Sequence, residues 1–118
     1  MPYKFSKCIA FHTTDYERAI EFYQKVFGFA IVERHEGYVE VEAEQNRLFL
    51  AKSDTPGKVH ELIVPDLEAA RDELVANGCE VVRWEGKGKD CYIRDPFGFM
   101  FNLWENAEVF ENKGNEVL

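Results

Sequence analysis

The sequence predicts a single α+β domain made of two modules, each with the element order β-α-β-β-β. The pattern Asp-x-Glu-x-Ala occurs at residues 15–19 and again at residues 66–70. Each copy follows an apolar run typical of a strand and begins a helical pattern that ends at a glycine. Three more strand candidates follow each helix. Because element order and spacing agree in the two halves, internal duplication is the favoured interpretation.

The first module is expected at about residues 1–54. Thr14 and Glu17 have the spacing of a capping box, which predicts the start of its helix. Apolar side chains recur at steps of three and four residues through this helix, and Gly28 is expected to end it in a left-handed conformation. The strands of this module are expected at about 8–11, 29–35, 37–43 and 47–52.

The second module is expected at about residues 59–106, after a linker at 55–58 that contains Pro and Gly. Asp66 is expected to cap its helix, which ends at Gly78. The strands of this module are expected at about 59–64, 79–84, 90–94 and 99–105. The polar segment 107–118 is expected to be peripheral. Its apolar residues that can dock on the domain are Val109, Phe110, Val117 and Leu118.

Composition and charge exclude several classes of function. The 118 residues are 46% hydrophobic and 14% aromatic, which suits a packed core rather than a disordered chain. The 14 Lys and Arg against 22 Asp and Glu give a net charge of −8, so we expect neither nucleic acid nor an anionic membrane as a partner. Three dispersed cysteines argue against a disulfide framework. Without a signal-peptide pattern or a long apolar span, a cytoplasmic protein is expected.

Two segments resemble the vicinal oxygen chelate superfamily, which includes glyoxalase I, extradiol dioxygenases and bleomycin-resistance proteins. Residues 15–29, with the pattern D-x-E-R-A-I-x-F-Y-x-x-V-F-G-F, resemble its helix signature, and residues 95–105 resemble its Asp-Pro-x-Gly turn and final strand. The resemblance covers about residues 5–106. It implies a glyoxalase/bleomycin-resistance-like fold, in which two βαβββ modules form mixed curled sheets that enclose a cleft, commonly completed in a homodimer.

The resemblance also implies where the family's enzymes would hold a metal, on the first and last strands of each module. Those positions fall on Cys8, Val59, Phe49 and Asn102. Valine and phenylalanine have no donor atom, the amide of asparagine is a weak neutral donor, and one thiolate makes no site by itself. The sequence departs from the family pattern at each position, so no cofactor is expected.

A displaced divalent-metal site is an alternative. Strand alternation places His12 and Glu61 toward the cleft, where Glu40 or Glu42 would complete a His-and-carboxylate set. The protein would then be a metal-dependent lyase, isomerase or dioxygenase. Glu61 would be the candidate general base, because proton abstraction next to a carbonyl needs a positioned carboxylate.

The leading hypothesis is a metal-independent protein that binds a small molecule, similar to the bleomycin-resistance branch. Aromatic faces with nearby carboxylates suit a planar or cationic ligand. The side chains expected to line the cleft are His12, Glu40, Glu42, Phe49, Glu61, Tyr92, Met100, Asn102 and Trp104. A third hypothesis is a non-catalytic module that dimerises through an open sheet face, since aromatic residues on a sheet also serve interfaces. A symmetric homodimer is expected in either case.

Overall fold

The computed structural model describes residues 3–111 and confirms the α+β class. The β-α-β-β-β order occurs in both halves. The elements are, in order, β1 (Lys4–Thr13), α1 (Tyr16–Lys25), β2 (Ala30–His35), β3 (Tyr38–Ala43), β4 (Asn46–Lys52), β5 (Gly57–Val64), α2 (Leu67–Ala76), β6 (Glu80–Trp84), β7 (Cys91–Arg94), β8 (Met100–Glu105) and α3 (Glu108–Glu111). None of the helices between residues 3 and 111 is long and apolar enough to cross a lipid bilayer.

The chain divides into two compact units, which we call the first unit (Lys7–His60) and the second unit (residues 3–6 and 61–111). The strand order in the first unit is β2-β3-β4-β1, with β1 parallel to β4 and β3 antiparallel to both of its neighbours. In the second unit the order is β5-β8-β7-β6, with β7 antiparallel to both of its neighbours. The parallel β1–β4 pair follows from the α1 crossover.

Each unit has its own core on one face of its sheet, because apolar residues alternate along the strands. In the first unit the buried core is Ile20 of α1 with Val39, Val41, Leu48 and Leu50. In the second unit the buried core consists of Val64, Leu67, Ala70, Cys91, Ile93 and Leu103. Of the cysteines of this unit, Cys91 is buried in the cluster and Cys79 packs against it.

The two long helices begin differently. Asp66 caps α2 as expected, because its Oδ1 accepts the Ala69 N–H at 2.9 Å. The capping box at Thr14 is wrong: the N-cap of α1 is Asp15, which makes no side-chain cap hydrogen bond. The hydroxyl of Thr13 instead accepts the N–H of Asp15 at 3.1 Å. The helix begins at Tyr16, one residue later than the box requires.

The expected glycine stops are confirmed at both helices. Gly28 has φ 76° and Gly78 has φ 98°, and residues other than glycine rarely adopt such positive φ values. After α2 the N–H of Cys79 donates to the Leu74 carbonyl at 3.0 Å and that of Gly78 donates to Val75 at 3.1 Å. This pair of bonds is the Schellman arrangement.

The last described helix, α3, contacts the start of β1 within the second unit. Lys4 Nζ donates to the Val109 carbonyl at 3.2 Å and lies 5.4 Å from the ring centroid of Phe110. These two residues of the polar tail therefore dock on the second unit. Val117 and Leu118, which were expected to be able to dock as well, lie outside the described residues.

Candidate functional site

The face of the first unit's sheet that lies opposite its core carries all four residues that the sequence assigned to the cleft in this half. The strand register forms three rows across β1, β4 and β3. These rows are Cys8–Arg47–Glu42, Ala10–Phe49–Glu40 and His12–Ala51–Tyr38. His12, Glu40, Glu42 and Phe49 therefore share one face of the sheet, as strand alternation predicts.

Arg47 lies on this face at the start of β4, and no role was expected for it from the sequence. Its Nε and Nη2 donate to the two carboxylate oxygens of Glu40 at 2.9 and 3.0 Å. Its guanidinium carbon lies 5.4 Å from the ring centroid of Phe49. Glu40 is only 8% exposed, and its pKa is lowered mainly by the hydrogen bonds from Arg47. The carboxylate and the ring expected to attract a cationic ligand are thus already engaged by the protein's own cation.

Glu42 differs from Glu40 although both lie on the same face. Glu42 is exposed and stands directly across from Arg47 in the register, whereas the guanidinium reaches diagonally to Glu40. The hairpin between β3 and β4 pairs Ala43 with Asn46. From this short turn, the proximity of Arg47 to the two glutamates could have been predicted from the sequence.

In the second unit the expected cleft residues are placed on or beside β7 and β8. Tyr92 and Asn102 are cross-strand partners, and Met100 pairs with Arg94. The Asn102 Oδ1 accepts the N–H of Cys91 at 2.9 Å, so its amide oxygen is used within the sheet. Burial, followed by the charge of Asp90, raises the pKa of Tyr92 to about 12. Tyr92 is therefore neutral at pH 7.

The two remaining expected residues of this unit lie on β5 and β8. Glu61 of β5 is half-buried, and Trp104 near the end of β8 is 39% exposed. The neighbouring Glu105, which the sequence analysis missed, has a structural role. Its Oε1 accepts the Leu67 N–H at 2.8 Å at the start of α2, and its Oε2 lies 2.6 Å from Lys87 Nζ.

The residues at the family's metal positions do not fit a divalent ion. Val59 is 5% exposed and apolar, and Phe49 lies beneath Arg47. The amide oxygen of Asn102 already accepts a backbone hydrogen bond. Between residues 3 and 111, no three His, Cys, Asp or Glu side chains are grouped so that they could hold a metal. The displaced site expected at His12 and Glu61 stays a prediction.

A pocket of about 590 Å³ lies within the first unit, between α1, the end of β1 and the start of β5. Of the residues expected to bind a ligand, only His12 lines it. His12 contributes at the end of β1 between Phe11 and Thr13, although its row belongs to the other face of the sheet. The lining residues are Phe11, His12, Thr13, Asp15, Arg18, Ala19, Phe22, Tyr23, Leu50, Gly57 and Lys58. Because Phe11 and Leu50 belong to the core face, this pocket opens on the helix side of the sheet, where the sequence analysis placed no site.

One wall of this pocket, hereafter the α1 pocket, is aromatic. The rings of Phe11 and Tyr23 lie 5.8 Å apart, and Phe22 meets Tyr23 edge-on at 5.2 Å. Phe22 remains 47% exposed although it belongs to the apolar stripe of α1. No sequence pattern distinguishes Phe22 from the other apolar residues of this stripe.

The α1 pocket also carries charged groups at its rim. Arg18 and Asp15 form an exposed ion pair at 3.5 Å. Lys58 Nζ lies 5.3 Å from the ring centroid of Phe11. An ammonium at this distance from a ring face is attracted by the ring and keeps its hydrogen-bond donors available. The pocket thus combines apolar rings with a few polar groups, the usual composition of a small-molecule site.

Comparison with known proteins identifies the family of this fold. The sequence model of the Glyoxalase/Bleomycin resistance protein/Dioxygenase superfamily matches residues 7–103. No curated protein matches the chain. The chain is similar in fold to a superfamily member from Vibrio splendidus 12B01, with 18% identity and a TM-score of 0.64 over 89% of this chain and 100% of that one.

Two larger proteins are also similar to the chain in fold. One is the Mn(II)-bound glyoxalase from Novosphingobium aromaticivorans, with 18% identity and a TM-score of 0.61 over 90% of this chain and 40% of that one. The other is homoprotocatechuate 2,3-dioxygenase from Brevibacterium fuscum in complex with 3,4-dihydroxyphenylacetate, with 20% identity and a TM-score of 0.62 over 88% of this chain and 37% of that one. At such identities the likeness extends to the fold alone. Because the family model covers most of its length, the chain belongs to the Glyoxalase/Bleomycin resistance protein/Dioxygenase superfamily.

Proposed function

We propose that this protein binds a small aromatic molecule in the α1 pocket and does so without a resident metal. The observation that carries the proposal is the pocket itself, about 590 Å³ with Phe11, Phe22 and Tyr23 among its lining residues. Small-molecule sites commonly have volumes of about 300–1,000 Å³ and apolar walls with a few polar groups. A planar ring can stack against the half-exposed Phe22 and bury its own apolar surface.

The donor atoms support a function that needs no metal. Polarising a substrate's oxygens requires an ion held by convergent N or O donors with open positions. At the positions where the family places such donors, this chain has a buried valine, a ring covered by a guanidinium, and an amide bonded to the backbone. The remaining position is Cys8, and one thiolate does not make a site.

The charges on the sheet face favour the α1 pocket over that face as the ligand site. A cationic ligand stacked on Phe49 would have to displace Arg47 and leave Glu40 to find a new partner. Removing a hydrogen-bonded cation from a buried carboxylate carries a desolvation penalty that a weakly bound ligand does not offset. The α1 pocket requires no such exchange.

The proposal is tested by calorimetric titration of chelator-treated protein with 2-naphthol, a neutral aromatic probe. We expect saturable binding to the wild type and a Kd about two- to tenfold higher for Phe22→Ala, since an aromatic pair contributes roughly 0.5–1.5 kcal/mol. Phe97→Ala is the matched control, because Phe97 is 82% exposed and lies in the second unit. Absence of saturable binding, or equal Kd values for the wild type and Phe22→Ala, would overturn the proposal.

A further inference from the structure

We infer that the α1 pocket selects an aromatic carboxylate, with the ammonium of Lys58 binding the ligand's negative charge; this rests on the proposed function. Lys58 belongs to the part of β5 that lies in the first unit, and its side chain reaches the aromatic wall at Phe11. The ligand's ring and its charged group would therefore be recognised by two adjacent features of one pocket.

The balance of charge in the pocket points to an anion. Asp15 and Arg18 form an ion pair with each other, so their charges offset one another at the rim. Within the part of the chain that the structure describes, Lys58 forms no ion pair, and its contact is with the ring of Phe11. The pocket therefore carries one uncompensated positive charge in a chain whose net charge is −8.

The position of the ammonium suits a carboxylate on an aromatic ring. A contact with a ring face is electrostatic and leaves the three N–H donors of a lysine able to bind an oxygen anion. The rings of Phe22 and Tyr23 belong to the same pocket, so a ligand ring can pack there while its carboxylate meets Lys58. A ligand with an ammonium group in that place would meet a like charge.

The expected gain in affinity is modest because Lys58 is exposed. An exposed ion pair contributes up to about 1 kcal/mol, which corresponds to a Kd up to about fivefold lower. The gain should shrink between about 0.02 and 0.5 M salt, since the screening length falls from roughly 20 Å to a few ångströms. Selectivity between otherwise identical ligands is therefore the quantity to measure.

The test compares three ligands of matched shape: 2-naphthoate, the neutral 2-naphthamide and the cationic 2-naphthylmethylammonium. We expect the wild type at low salt to bind naphthoate about two- to fivefold more tightly than naphthamide, and the cation least tightly. Lys58→Gln should abolish this preference and leave the Kd for naphthamide within about twofold, while Lys58→Arg should keep the preference. Lys89→Gln is the matched control, since Lys89 is exposed in the second unit and makes the same change in net charge.

The outcomes separate this inference from the proposed function. If naphthamide binds and Phe22→Ala weakens that binding, but naphthoate shows no preference or keeps it in Lys58→Gln, the inference is wrong and the proposed function stands. Tighter binding of the cation than of naphthoate would also overturn the inference. If none of the three ligands binds, the proposed function fails and the inference fails with it.

Discussion

The guanidinium of Arg47 determines what the sheet face of the first unit can bind. It donates two hydrogen bonds to Glu40 and lies over Phe49. A cationic ligand would bind in the same way to an aromatic ring beside a carboxylate. Here the cation is the side chain of Arg47, which lies on the same strand as Phe49. A single residue thus satisfies a buried acid and covers a ring that otherwise would be available to a ligand.

At the residue scale, Arg47→Met should destabilise the protein by about 1–3 kcal/mol, because it leaves the buried Glu40 carboxylate without its donors. Arg47 lowers the pKa of Glu40 in the folded state. The contribution of the pair is therefore complete above the ordinary glutamate pKa, about 4.3, and is lost as the pH falls through the lowered value. Urea unfolding of the wild type and the variant at several pH values measures both effects.

The double variant Glu40→Leu/Arg47→Met is the control for this prediction. Replacing both partners removes the unsatisfied carboxylate, so the double variant should be more stable than Arg47→Met alone. A double variant that is less stable than Arg47→Met would show that the pair does not act as described. A stability difference between the wild type and Arg47→Met that stays constant down to about pH 3 would contradict the role of Glu40.

At the scale of elements, α1 and α2 are equal in length but differ at their first turns. Asp66→Ala should cost about 1 kcal/mol, because the Asp66 carboxylate accepts the Ala69 N–H. Asp15→Ala should cost clearly less, because Asp15 makes no cap hydrogen bond and its ion pair with Arg18 is exposed. Thermal unfolding of the two variants checks the difference. Equal losses would show that the cap geometry does not govern these helix starts.

The order and bounds of most elements are predictable because their signals are local. The glycines after the helices and the alternation in β3, β4, β7 and β8 place the observed bounds within one residue of expectation. Two strands are exceptions. β1 runs from Lys4 to Thr13 whereas the apolar run suggested only 8–11, and β5 begins at Gly57, two residues before the expected 59 and within the expected linker. Polar residues at the start of β1 remain in the strand because main-chain pairing, not side-chain hydropathy, holds them there.

The candidate site is less predictable because it depends on packing between elements. Alternation placed His12, Glu40 and Phe49 on one face, but which partner Glu40 takes depends on a diagonal contact from β4. The α1 pocket requires the first turns of α1 to pack beside the ends of β1 and β5. No sequence pattern at Phe22 or Lys58 indicates that geometry, because both are ordinary residues for an exposed helix stripe and a strand start.

At the scale of the whole molecule, the superfamily fold is present while the donor set for a divalent metal does not fit. Protein purified without added metal should contain far less than one Mn, Fe, Ni or Zn per chain by elemental analysis. Its Tm should not change on chelator treatment, because a ligand that binds only the folded state would otherwise stabilise it. About one metal per chain, together with a lower Tm after chelation, would contradict this prediction.

The proposed function requires that an aromatic ligand binds in the α1 pocket without a metal. The most direct measurement is an amide chemical-shift titration of ¹⁵N-labelled, chelator-treated protein with 2-naphthol. We predict saturable shifts concentrated at the residues lining the pocket, from Phe11 to Tyr23 and at Leu50, Gly57 and Lys58. Shifts centred instead on Glu40, Arg47 and Phe49, or no saturable shifts in the chelator-treated protein, would contradict the claim.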